Sequence, residues 1–251
     1  MIRIAATGDI HFGVDSAGTL RPHLNDLKGK ADALLIAGDL TRCGSAEEAA
    51  VLASELEGIE VPIVTVLGNH DYEVEQESLI VGLLQDKGVH VLDNANHIVD
   101  VGGVRLGITG VKGFGGGFAG ACGSDFGEPE MKTFIRHTKD VSARLQELLT
   151  ELDTDVRVAL LHYSPVEETL RGERLEIYPF LGSYLLAEAV DAAGADLVLH
   201  GHAHNGVEKG ITTGGITVRN VAQSVIKHAY NIYVIDESDK KNAGDEVLQA
   251  V

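Results

Sequence analysis

Eight polar residues stand at or just beyond the ends of short apolar runs. Asp9 and His11 follow residues 2–7, Asp39 follows 33–37, and Asn69 and His70 follow 62–67. His162 follows 156–161, and His202 and His204 follow 196–199. Carboxylate oxygen, amide oxygen and imidazole nitrogen together suit borderline-hard divalent and trivalent metals such as Mn, Fe, Co or Zn. No thiolates cluster with them, which disfavours a structural zinc site of the cysteine type. Asp9-x-His11 places both side chains on one side of an extended chain, and His202-x-His204 repeats the spacing. Gly8, Gly38, Gly68 and Gly201 each adjoin one of these residues, where a missing side chain lets backbone approach an ion closely.

The elements that must position this set are legible from pattern. The five runs are short and continuously apolar rather than alternating, as expected of strands buried on both faces. Helical spacing marks 76–86 and 141–152, and the Ala/Leu-rich stretch 183–193 reads as helix. A further helix over 45–56 opens on Ser45 with Glu48 three positions on, a capping box. Strand–helix alternation predicts α/β layers, whose strands bring their carboxyl ends to one edge where ligands bind. Further strands are expected at 89–92, 98–101, 104–109, 216–221 and 232–235. The last two have no strong helix between them, which points to a mixed or second sheet. One domain is expected over 1–251, with the polar tail 237–251 as a surface segment.

Composition sets limits. Hydrophobic residues are 44% and charged residues 23% of 251 residues, which excludes wholesale disorder. The formal charge of −18 repels phosphate backbones and anionic lipid, which argues against nucleic acid or a membrane as partner. No apolar run approaches a membrane span and no signal peptide is read, so a cytoplasmic protein is expected. Cys43 and Cys122 cannot make a disulfide framework and read as inert reduced thiols.

The ordered motifs G-D-I-H (8–11), G-D-L (38–40), G-N-H-D (68–71), the lone His162 and G-H-A-H (201–204) resemble the calcineurin-like metallophosphoesterases. The resemblance implies an α/β fold, a four-layer α/β/β/α sandwich with two mixed sheets, and a dinuclear centre. It implies that Asp9, His11 and His204 bind one metal, that Asn69, His162 and His202 bind the other, and that Asp39 bridges. A carboxylate can bridge, and an asparagine can supply one neutral oxygen. The ions would be two of Mn, Fe, Co, Ni or Zn, with Mn or Fe favoured. They would lie about 3.5–4 Å apart, clamp a phosphoryl group and hold a hydroxide for in-line attack. The same resemblance makes His70 a proton donor to the leaving oxygen or a stabiliser of the phosphoryl oxygens.

Two departures narrow this. Protein Ser/Thr phosphatases of the superfamily read G-D-x-x-D-R-G and R-G-N-H-E; here Arg42 and Leu67 stand at the orienting Asp and the phosphate-binding Arg. A protein phosphatase is therefore disfavoured, and the G-D-L-T and L-G-N-H-D forms resemble the bacterial and archaeal phosphodiesterase branch. Asp71 becomes the adjacent candidate to orient His70. The expected substrate is a small phosphodiester or phosphomonoester. The alternatives are a nuclease of the superfamily's DNA-repair branch, disfavoured by charge, and a non-catalytic scaffold, disfavoured by the intact ligand types.

Several other features stand apart. The glycine-rich stretch 113–127 could border the site, with Phe114, Phe118 and Phe126 available to a substrate, or could be a surface insertion packed by those rings. Arg171 and Arg174 are possible phosphate contacts or solvated side chains. His200 is either a support for its ligand neighbours or the buried end of a strand. His23, His90, His97, His137 and His228 read as surface or satisfied polar positions.

Overall fold

A computed structural model describes residues 1–235. The tail expected at 237–251 lies outside the described residues. The strands are β1 (Ile2–Thr7), β2 (Ala33–Ala37), β3 (Ile63–Val66), β4 (His90–Val91), β5 (Ala95–Val101), β6 (Val104–Gly110) and β7 (Gly117–Phe118). They continue with β8 (Ala121–Cys122), β9 (Val156–Leu160), β10 (Leu197–His200), β11 (Lys209–Ile211), β12 (Thr217–Asn220) and β13 (Asn231–Ile235).

Two mixed sheets form. One has the order β13-β1-β2-β3-β4, the other β11-β12-β10-β9-β6-β5. The central pairs β1–β2, β2–β3, β6–β9, β9–β10 and β10–β12 are parallel, whereas β13, β5 and β11 run antiparallel to their neighbours. The expected second sheet is present, and the last two strands belong one to each sheet.

Alternate residues of each central strand explain the layers. Ile2, Ile4, Leu35, Val64 and Val66 meet Leu106, Ile108, Val158, Leu160 and Leu199 in one apolar layer between the sheets. The opposite faces of the first sheet, Ala5, Leu34, Ile36 and Ile63, meet Leu52, Leu56, Ile80 and Leu84 of helices Ala46–Leu56 and Glu77–Gln85. Ala159, Leu161, Val198 and Val218 meet Leu145, Leu149, Leu186 and Val190 of helices Pro129–Glu151 and Tyr184–Ala193. Strands covered on both faces need apolar side chains at every position, which is why their runs do not alternate. Among the described residues, no helix is long and apolar enough to cross a membrane.

Two expectations are corrected. The Ser45 hydroxyl does cap the Glu48 amide at 3.3 Å, but Glu48 accepts from the Cys43 amide at 2.8 Å instead of closing a capping box. The helix expected over 141–152 starts a dozen residues earlier, at Pro129, because Ile135 and Thr138 prolong its buried stripe toward the glycine-rich segment.

Candidate metal centre

The loops after β1 and β2 run side by side, with Asp9, His11 and Phe12 amides donating to the carbonyls of Gly38, Asp39 and Leu40 at 3.0–3.1 Å. The Gly201 amide donates to the His162 carbonyl, joining the two loops of the second sheet. Four residues on these loops occupy the left-handed region: Asp9 (φ 53°), His11 (φ 43°), Asp39 (φ 49°) and His202 (φ 69°). Such residues cost free energy that the surrounding hydrogen bonds must offset, and they concentrate at functional sites. Two glycines make the turns possible. A Cβ on Gly68 would overlap the Asp39 carboxylate, and one on Gly201 would overlap that of Asp9.

All eight polar residues converge. Ligand atoms of Asp9, His11, Asp39 and His204 lie within 4.8 Å of one another, and so do those of Asp39, His162 and His202. Asp39 is common to both groups and is buried. Asn69 adjoins the second group through its Oδ1, 2.9 Å from His162 Nε2.

Backbone carbonyls fix the imidazoles. His162 Nδ1–H donates to Ala37 at 2.8 Å, which leaves Nε2 toward Asp39 Oδ1 at 3.4 Å. His202 Nε2–H donates to Phe180 at 3.2 Å, which leaves Nδ1 free. Burial pushes both rings down to about 3, so both are neutral and keep a lone pair. Burial also pushes Asp9 up to about 6, although its oxygens accept from the His202 amide and from His204 Nε2 at 2.8 Å. His11 Nε2 lies 3.3 Å from His204 Nε2. The His162 Nε2 lone pair lies 2.9 Å from the Asn69 amide oxygen and 3.4 Å from Asp39 Oδ1, an oxygen whose hydrogen comes from the His70 amide. Packing acceptors together without a cation is unfavourable, so the donor set fits metal ions.

His70 sits at the rim, its ring centroid 4.6 Å from that of His11. Its Nδ1–H donates to the Arg42 carbonyl at 2.9 Å, and its amide donates to Asp39 Oδ1. Asp71 does not orient it. That fully buried carboxylate instead accepts from the Leu40, Thr41 and Gly68 amides and the Thr41 hydroxyl, tying the β2 and β3 loops together. Asp71→Ala would orphan four buried donors, each worth about 1–3 kcal/mol. We expect a loss of about 3 kcal/mol or more of unfolding free energy in urea titration; a loss below about 1 kcal/mol would show that the loops hold without it.

The remaining candidates separate. Phe118 is buried with Leu170, Tyr178, Leu181 and Ala203, beneath the turn that carries His202 and His204, so it supports that turn. Phe114 is partly buried on Phe134, His137 and Tyr163, and Phe126 is exposed. Arg174 is exposed and lies 3.5 Å from Glu176, and Arg171 is exposed as well. His200 ends β10, bonded to the Gly201 carbonyl and to the Thr169 hydroxyl at 2.9 Å. His90 and His97 stack on each other, ring centroids 3.8 Å apart, across the edges of the two sheets. Both cysteines are free and exposed.

Sequence reasoning misses Tyr163, whose ring lies 4.4 Å from that of His202, and Phe180, which holds His202 through its carbonyl. Adjacency to His162 is a signal for the first; a backbone acceptor leaves none for the second.

A family model for calcineurin-like phosphoesterases matches residues 2–206. No curated protein matches the chain. Among solved structures, phosphopantetheinyl hydrolase from Mycobacterium tuberculosis superposes with TM-score 0.65 at 15% identity, covering 93% of this chain and 96% of that one. GAP50, the anchor in the inner membrane complex of Plasmodium, gives TM-score 0.54 at 12% identity over 89% of this chain and 72% of its own. NAD nucleotidase from Haemophilus influenzae gives 0.52 at 15% identity over 93% of this chain but only 49% of its own. At these identities the likeness is one of fold, so function has to be argued from the side chains at the strand ends.

Proposed function

The chain belongs to the calcineurin-like phosphoesterase family, whose members hydrolyse phosphoric esters, and we propose that it cleaves a small phosphomonoester or phosphodiester at a two-metal centre. The observation that carries this reading is the Asp39 carboxylate, shared by both groups of ligand atoms. Asp9, His11 and His204 would hold one ion, Asn69, His162 and His202 the other, and Asp39 would serve both. Mn or Fe is favoured over Co, Ni or Zn. When bound, such ions supply Lewis-acid stabilisation of the phosphoryl oxygens and lower the pKa of water.

The chain's own residues supply the rest. Asp39 sets the separation of the two halves because its backbone and both neighbouring loops are fixed. The Arg42 carbonyl accepts from His70 Nδ1–H, so only the doubly protonated ring presents an Nε2–H toward substrate. A water oxygen bonds to phosphorus and releases a proton to solvent, the P–O bond to the leaving group breaks, and the departing oxygen takes the Nε2 proton of the His70 imidazolium, leaving the neutral Nδ1–H ring. A cavity of about 1190 Å³ opens beside Asp9, lined in part by His23, Gln223, Ser224, Lys227 and Tyr230, with room for a small organic ester. The charge of −18 disfavours a nucleic acid or an anionic membrane as the site's partner, and the proposed location is the cytoplasm.

The test is metal-free protein reconstituted separately with Mn, Fe, Co, Ni and Zn and assayed on phosphomonoesters, phosphodiesters and DNA. Turnover of small esters with Mn or Fe, and none of DNA, is expected. Preferential degradation of DNA would favour a nuclease, and inertness with every metal would favour a scaffold.

A further inference from the structure

Beside His202 lies an apolar surface that the hydrolytic chemistry does not use. Phe180, whose carbonyl accepts from His202 Nε2, leaves 60% of its own area exposed. Leu175 and Ile177, on the same segment, are exposed as well. The Phe180 ring lies 6.3 Å from that of Phe134, and Phe134 lies 5.0 Å from Phe114. Phe114 and Phe134 line a cleft of about 540 Å³ with Pro129, Glu130, Thr133 and His137. From Phe114 the rings run on beneath the surface through the buried Tyr163, at 5.8 Å, to His202 at 4.4 Å. Scattered exposed apolar residues are ordinary, but exposed aromatic rings beside a candidate site mark recognition.

We propose that this shelf, from Phe180 to the cleft between Phe114 and Phe134, receives an apolar aryl or alkyl segment of the phosphoester's organic group. The assignment rests on the phosphoesterase reading of the centre and adds the substrate's class. Its occupant is a substrate and not a protein, because the exposed Phe180 ring belongs to the residue whose carbonyl holds His202 at the centre. Phe180 acts as a specificity residue. Its exposed ring contributes affinity to esters long enough to reach it and nothing to shorter ones.

The experiment compares two non-hydrolysable probes, 4-phenylbutylphosphonate and methylphosphonate, by calorimetry on Mn-loaded protein. The wild type is expected to bind the phenylbutyl compound at least about tenfold more tightly, since apolar pockets discriminate by roughly 10–200-fold. Phe180→Ala should bring the ratio of the two Kd values close to one, with metal content measured on the same sample; Phe180→Leu should restore part of it. Equal binding of both phosphonates by the wild type, or an unchanged ratio in Phe180→Ala, overturns the shelf. A shift of oligomeric state in Phe180→Ala, seen by sedimentation without a change of ratio, would make this face a contact between copies and also overturn it. Failure of both phosphonates to bind contradicts the phosphoesterase reading itself. The shelf is then judged by fluorescence of 8-anilinonaphthalene-1-sulfonate on metal-free protein. A signal lost in Phe180→Ala sustains an apolar site, and an equal signal in both proteins removes it.

Discussion

Asp39→Ala is expected to lose at least one metal ion and nearly all turnover. The carboxylate is shared by both groups of ligand atoms, whereas the other seven polar residues each face one side. Its left-handed backbone (φ 49°) is held by the adjoining loops, and Oδ1 also accepts the His70 amide. No neighbouring oxygen can take its place, because Asp71 is committed to four donors and Asp9 to His202 and His204. Removing a two-metal clamp forfeits several kcal/mol of transition-state stabilisation, or losses of about a thousandfold and more. The check is metal analysis and kcat on one sample. Two retained ions with normal kcat would show that Asp39 does not bridge.

His70→Ala should behave differently, keeping its metals while losing rate. The ring reaches the rim of the centre, and its Nδ1 is tied to the Arg42 carbonyl rather than turned into either ligand group. A general acid contributes about 10²–10⁴-fold. The loss should therefore be of that order for an alkyl ester, whose leaving oxygen needs a proton. It should be much smaller for a p-nitrophenyl ester, whose phenolate departs with little protonation. Equal losses on both substrates would assign His70 to stabilising the phosphoryl oxygens. A missing metal ion would make it a ligand, and unchanged rates would make it a bystander.

Strand ends are the most legible feature of the chain. A doubly covered strand must be apolar throughout, and the first polar residue after it sits at the sheet's edge. Pattern alone therefore brings Asp9, Asp39, Asn69, His162 and His202 to one edge. The left-handed backbone at Asp9, His11, Asp39 and His202 is not legible, since none of them is glycine and the surrounding hydrogen bonds impose it. What orients His70 is also hidden. The acidic neighbour Asp71 turns inward to the loop amides, and the true acceptor is a carbonyl of Arg42 that any residue type could supply. Only half of the long helix shows in the pattern, because its first turns face the aromatic cleft rather than the sheet. The glycine-rich stretch plays a mixed part. Gly117 and Phe118 form a short strand, and Phe118 packs beneath the His202 turn, while Phe114 opens onto the shelf.

The central claim is that the donors gathered around Asp39 hold two metal ions that hydrolysis requires. Exhaustive chelation followed by titration with Mn, with metal content and ester hydrolysis followed together, tests it most directly. Activity should vanish with the metal and return as occupancy approaches two ions per chain. Full activity after chelation, with no metal detected, would contradict it.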